Sequence, residues 1–252
     1  MTDTIVPGRA LARSDSRYFY FQMSLVCMAV AFLGFWPSYW GRMVAGTLHE
    51  APVSHLHGII FFGWSLYIVY QSWLGASGQI ARHRAVGLIG VSLATAMVIF
   101  GVMVSIQVMH ELAAKGRGEY GVTLVSISMS NIALFAGLIV FALMNIRRPE
   151  WHKRLMLMGT IAVTEPGFTR IWGLTLWARL GEGYLPFYVS VYIGTLALVI
   201  AVGAYDLVTR RRLHPAYIAA ALWIFANEAM ATWLFYQPFW LGWMKALTGH
   251  GT

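Results

Sequence analysis

The chain has 252 residues, 58% hydrophobic and 11% charged, with a formal net charge of +8. Soluble domains carry about 25% charged residues, so this composition excludes a water-facing surface. With the basic residues flanking apolar runs, it also excludes nucleic acid in favour of anionic lipid headgroups on the cytoplasmic side.

Residues 1–17 are polar and form a cytoplasmic N-terminal segment. The apolar run from Tyr18 is long enough to stay as an anchor rather than be cleaved. Runs near the ~20 residues a crossing needs then predict helices at about 18–40, 55–76, 86–109, 122–145, 154–177, 186–208 and 215–237. Arg9, Arg13 and Arg17 precede the first. Arg82 and Arg84 lie between the second and third. Arg147, Arg148, Lys153 and Arg154 lie between the fourth and fifth, and Arg210, Arg211 and Arg212 follow the sixth. The opposite side holds Arg42, Lys115, Arg117, Arg179 and Lys245. The positive-inside rule places the larger group in the cytoplasm. The expected fold is therefore all-α: a polytopic bundle of seven transmembrane helices over 18–237, N-terminus in, C-terminus out, with 238–252 as an external tail. Glu165-Pro166-Gly167 interrupts the fifth helix. Deleting that helix would put the three arginines at 210–212 outside, so the charge asymmetry favours seven. The longest polar excursion, roughly His110 to Gly121, lies outside.

The single cysteine, Cys27, sits in the first apolar run and excludes an intrachain disulfide or a cysteine-built metal cluster. Ionisable residues inside apolar runs are the main functional signal. Glu165 falls roughly 15 Å from the inner boundary and Glu228 roughly 20 Å, with Arg170 near Glu228 in depth. Asn131 approaches the same layer, and Asn227 adjoins Glu228. Arg170 with Glu228 is the expected ion pair. Pro166 and Gly167 loosen the turn between Glu165 and Arg170, as in the broken helices that line transporter sites. The alternative is purely structural: an Arg170–Glu228 pair and a protonated Glu165 bonded to Asn131.

The histidines sort by side. His83, His152 and His214 each adjoin a cytoplasmic helix start, and Asp206 ends the sixth helix at that depth. Three imidazoles and a carboxylate are weak candidates for a metal site, but the neighbouring arginines oppose a divalent cation. His55 and His57 open the second helix from outside, about 200° apart around it, so they do not chelate together. His57 and His110 are the candidates for a haem between helices, although such ligands normally sit deeper. Neither haem nor metal is favoured. Ser126, Ser128 and Ser130 read as small residues that let helices approach.

HLHG, then HRAVG, WHKRLMLM with a downstream arginine, and YDLVTRRRLHP together resemble an uncharacterised family of bacterial multi-pass membrane proteins with HR-x-x-G and HKR/HRR helix-start motifs. The resemblance spans roughly residues 50–220. It implies a bacterial inner (cytoplasmic) membrane and marks His83, Arg84, His152, Arg154, Arg170, Asp206 and His214 as family positions. It implies no activity.

Three functions compete. The preferred one is a membrane protein with a buried polar pocket for a small molecule or lipid, transporter- or sensor-like, in which Trp64, Trp172, Trp223 and Trp233 are candidate lining residues. The others are a membrane oxidoreductase using haem or a histidine-bound metal, and a subunit of a larger membrane complex.

Overall fold

The structure is a computed structural model that describes residues 7–249, with side chains from Arg17 onward. The side chains of Arg9 and Arg13, and His250 and Thr252, lie outside the described part. Among the described residues the chain is all-helical, without strands. Its helices are α1 (Pro7–Gly34), α2 (Gly41–Val44), α3 (Pro52–Ala76), α4 (Ile80–Ala85), α5 (Gly87–Ala114) and α6 (Gly118–Met144). They continue as α7 (Pro149–Ala162), α8 (Glu165–Phe168), α9 (Leu174–Leu180), α10 (Tyr184–Arg210), α11 (Pro215–Phe235) and α12 (Pro238–Thr248). Proline sits in the first turn of α3, α7, α11 and α12. There its missing N–H costs nothing and its fixed φ favours the helix.

Among the described residues, six helices are long and apolar enough to cross a membrane: the part of α1 from Arg17, with α3, α5, α6, α10 and α11. Their outer faces carry exposed Leu33, Ile59, Leu88, Ile200, Leu222 and Phe225. Apolar surface this extensive needs lipid against it. Helices suit that solvent because each satisfies its own backbone hydrogen bonds.

The predicted fifth helix is where the structure departs most from the expected outline. It is not one helix over 154–177 but a broken path from Pro149 to Leu180. Pro166 has no N–H to continue the ladder. The chain instead turns at Val163 and Thr164, where Thr164 Oγ1 donates to Ile161 O at 2.7 Å. A π-helical turn over Thr169–Gly173 then links α8 to α9. The path runs antiparallel to α10 along its length. Arg154 in α7 meets Asp206 near the end of α10, and Trp177 in α9 packs 5.4 Å from Phe187 near its start.

α7 lies at the centre of the bundle. Leu155, Met158 and Ile161 are fully buried and pack with Cys27, Leu138, Val202 and Ile224 from α1, α6, α10 and α11. Its neighbours are protein rather than lipid, which is why it tolerates more polar residues than the outer helices. Two glycines hold α1 against the break. A Cβ on Gly34 would stand 2.4 Å from Gly167 O, and one on Gly167 would stand 2.8 Å from Val30 O. Backbones approach this closely in membrane bundles only through such small residues.

Two further boundaries differ. The expected excursion between His110 and Gly121 is a three-residue turn, because α5 runs to Ala114 and α6 begins at Gly118. The expected tail contains α12, whose Trp240, Leu241 and Met244 pack on Met109, Val122 and Val125. Lys245 pairs with Glu119 at 2.5 Å and fastens α12 to α6.

Candidate functional site

The break in the central path places Glu165 in a buried polar cluster. Its Oε1 accepts from Thr169 Oγ1 at 2.8 Å, and its Oε2 accepts from Asn131 Nδ2 at 3.4 Å. The Glu165–Asn131 contact of the purely structural alternative is thus present. Glu228 is buried on α11 and accepts from the Tyr188 hydroxyl at 3.4 Å. Asn227 is half-buried and joins none of these bonds.

Arg170 does not pair with Glu228. It is exposed, its Nη1 donates to Pro166 O at 2.8 Å, and its guanidinium lies 4.1 Å over the Phe35 ring. No ion pair among the described residues includes it. Rotation about the helix axes leaves Arg170 exposed and turns Glu228 into the bundle. Phe35 directly follows α1, so Arg170 stands at the far end of that helix from Arg17. Around it Ile171, Trp172 and Leu174 are also exposed. The result is one guanidinium in an apolar surface, bonded among the described residues to the Pro166 carbonyl, against five donors.

The His57 ring packs against Phe61 at a tilt of 35°, centroids 4.0 Å apart, and lies close enough to Arg170 for their charges to interact. Its Nδ1 is buried without a hydrogen-bond partner. His55 turns away and bonds the Tyr39 hydroxyl through Nδ1 at 2.8 Å. Trp64 is a packing residue, fully buried, with Nε1 donating to Thr160 Oγ1 at 3.3 Å. Trp172, Trp223 and Trp233 are partly exposed. Ser126 donates to Ala231 O at 3.2 Å and ties α6 to α11, as its small size suggests.

Two shallow grooves lie elsewhere. One of about 290 Å³ is lined by Trp172, Thr175, Leu176, Arg179 and Ile193. The other, about 280 Å³, is lined by Arg210, Arg212, Leu213, His214 and Pro215. Neither includes Glu165 or Glu228.

Among the described residues, the ion pair with both members fully buried is at the other end of α7. Arg154 and Asp206 are both fully buried. Arg154 Nε donates to Asp206 Oδ2 at 3.0 Å, and its Nη2 donates to Oδ1. The fork is bidentate, the geometry in which a guanidinium and a carboxylate bind best. Arg154 Nη1 donates to Glu150 Oε2 at 2.7 Å and to Glu150 O at 2.9 Å. Glu150 also takes Lys153 at 2.7 Å and Arg210. Asp206 Oδ2 accepts from the His214 backbone N–H at 3.1 Å, and His214 Nδ1 caps α11 by accepting from Ala216 N at 3.1 Å.

Burial by itself would raise the Glu150 carboxyl. The hydrogen bonds from Lys153 and Arg154, with the charges of Lys153 and Arg210, outweigh it and hold the group at about 2. Burial, then the charges of Arg154 and Arg210, lower His214.

Glu150, Lys153 and Arg210 were not singled out from the sequence. The available signal was spacing: Glu150 stands four residues before Arg154, and Asp206 four before Arg210, the separation at which opposite charges meet on a helix. His83, His152, His214 and Asp206 do not assemble as a metal site. Among the described residues no group of three or more His, Cys, Asp or Glu is arranged to hold a metal ion. The Asp206 oxygens are occupied by Arg154 and His214, and His214 Nδ1 by its helix cap. His83 and His152 do come together, with ring centroids 6.3 Å apart. Arg84 is exposed beside them.

No protein-family model, no curated protein and no solved structure matches the chain.

Proposed function

We propose that this is a seven-crossing protein of a bacterial inner membrane, N-terminus in the cytoplasm and C-terminus outside. In this reading it binds an acidic amphiphile at Arg170 from the outer side, in a transporter- or sensor-like role. The seventh crossing is the broken path α7–α9. Its course beside α10 from end to end supports it, and so does the distribution of Lys and Arg along the sequence.

One observation carries the ligand class: Arg170 is an exposed, permanently charged guanidinium on an apolar surface, near enough to Glu165 to feel its charge but in direct ion-pair contact with no carboxylate among the described residues. A charge in such a place needs a counter-charge to be tolerated. A carboxylate or phosphate head supplies the acceptors, and an apolar body covers Ile171, Trp172 and Leu174. Behind it Glu165 and Asn131 form a polar wall at the helix break, the arrangement by which broken membrane helices meet substrates.

The test is native mass spectrometry of the protein released from vesicles of equal phosphatidylglycerol and phosphatidylcholine. The wild type should retain one more anionic lipid than Arg170→Gln. The selectivity difference should be roughly tenfold, the equivalent of about 1.4 kcal/mol for one charge-assisted contact. Equal retention of anionic lipid by both proteins would refute the reading. A carboxylate from a second subunit on Arg170 would instead show as a larger complex in mild detergent that Arg170→Gln dissociates.

A further inference from the structure

His83 and His152 come from different parts of the chain. His83 is in α4, on the turn between α3 and α5, and His152 is in the first turns of α7. Both imidazoles are tied down in the same way. His83 Nδ1–H donates to Gln71 O at 3.2 Å, and His152 Nδ1–H donates to Ala142 O at 2.9 Å. A carbonyl oxygen only accepts, so in the neutral rings the proton sits on Nδ1 and the lone pair is on Nε2. This is the support that metal-bound histidines use: the far ring nitrogen donates to a backbone carbonyl, which fixes tautomer and orientation. Both side chains are half-buried.

The two rings stand 6.3 Å apart between centroids and nearly perpendicular, at 88°. Imidazoles bound through Nε2 on opposite sides of one iron, at about 2.0 Å each, have centroids roughly 6.3 Å apart. Two imidazoles cannot complete the shell of a bare ion, and no third ligand is arranged nearby among the described residues. They suffice for a metal that brings its own equatorial ligands. The surrounding charge points the same way. Arg82, Arg84, Arg147 and Arg148 are all exposed and adjoin the pair in sequence. They oppose a bare divalent cation but are suitable partners for the carboxylates of a porphyrin. Cys27 is buried in α1 and is the one cysteine, so a thioether-linked haem is excluded.

We propose that His83 and His152 are the two axial ligands of a non-covalently bound haem at the cytoplasmic end of the bundle, with its propionates on the neighbouring arginines. This site is independent of the ligand reading at Arg170. It also replaces the pairing of His57 with His110 as the place to seek a haem.

The experiment uses the full chain, expressed with added haem precursor and purified in mild detergent. Absorption spectra are recorded in the oxidised and reduced states, and hemin is titrated into protein prepared without precursor. The variants are His83→Gln and His152→Gln. Glutamine keeps an N–H for Gln71 O or Ala142 O and removes the ligating nitrogen, and helical circular dichroism verifies the fold. The expected result is a Soret band of six-coordinate, low-spin type. Hemin affinity should fall about tenfold or more in either variant and stay unchanged in His57→Gln. Any of three results would overturn the proposal: no haem retained or bound on titration, a haem band indifferent to both Gln variants, or stoichiometric zinc or copper without haem that the same variants lose.

Discussion

The Asp206→Asn substitution tests the energetics of the bundle most sharply. Arg154 and Asp206 are both fully buried, and each uses its charge on the other. Neutralising Asp206 removes two charge-assisted acceptors from Arg154 Nε and Nη2, and the half-exposed Glu150 becomes its only counter-ion. The amide also supplies donors that face donors. One of them points at the guanidinium, and the His214 N–H loses half its choice of acceptor. Breaking a buried pair from one side costs about 3–5 kcal/mol, because the remaining charge stays desolvated. At roughly 2–4 °C per kcal/mol for a chain of this size, the melting temperature should fall by about 6–20 °C. The assay is thermal unfolding in mild detergent, followed by intrinsic fluorescence. The paired replacement Arg154→Met with Asp206→Leu should recover most of the loss, since it leaves neither charge behind. An Asp206→Asn protein that melts within a degree or two of the wild type would refute the argument. So would a double variant as unstable as the sum of its parts.

Two other outcomes follow from the same structure. Glu150 is held at about 2 in the folded protein against an ordinary 4.5, so it contributes stability above its unfolded value that is lost as pH falls through the folded one. Thermal stability should therefore decline as pH is lowered from about 5 towards 2, and Glu150→Gln should flatten that decline; a parallel acid profile would contradict the assignment. Gly34→Ala places a methyl 2.4 Å from Gly167 O and should destabilise by about 1–3 kcal/mol, read as a lower melting temperature. Wild-type melting of that variant would mean that α1 does not rest on the break.

The crossing helices were legible because lipid imposes length and apolarity on them directly. The break at Glu165-Pro166-Gly167 was legible from proline chemistry, although the π-helical turn that follows it was not. What the sequence could not supply was rotation. Arg170 and Glu228 were expected at similar depth, yet one is exposed and the other buried, and no residue pattern in their helices distinguishes the two. The Arg154–Asp206 pair was hidden for the opposite reason. It lies beside basic loops, where charges ordinarily stay solvated, and its burial depends on α7 being enclosed by α1, α6, α10 and α11. The approach of His83 to His152 was equally unreadable, since it depends on how the α3–α5 turn meets the start of α7. The α12 helix was signalled by Pro238 and by Trp240 and Met244 four residues apart, a helical spacing within the expected tail.

If the path from Pro149 to Leu180 is a full crossing, Arg154 stands at its inner end and Arg170 on the outer side, where the proposed ligand binds. Reporter fusions measure this directly. A reporter placed after Arg212 should read cytoplasmic, and one placed at Thr252 should read external. A cytoplasmic reading at both positions, or an external reading after Arg212, would contradict the seven-crossing arrangement and the outer-side binding that depends on it.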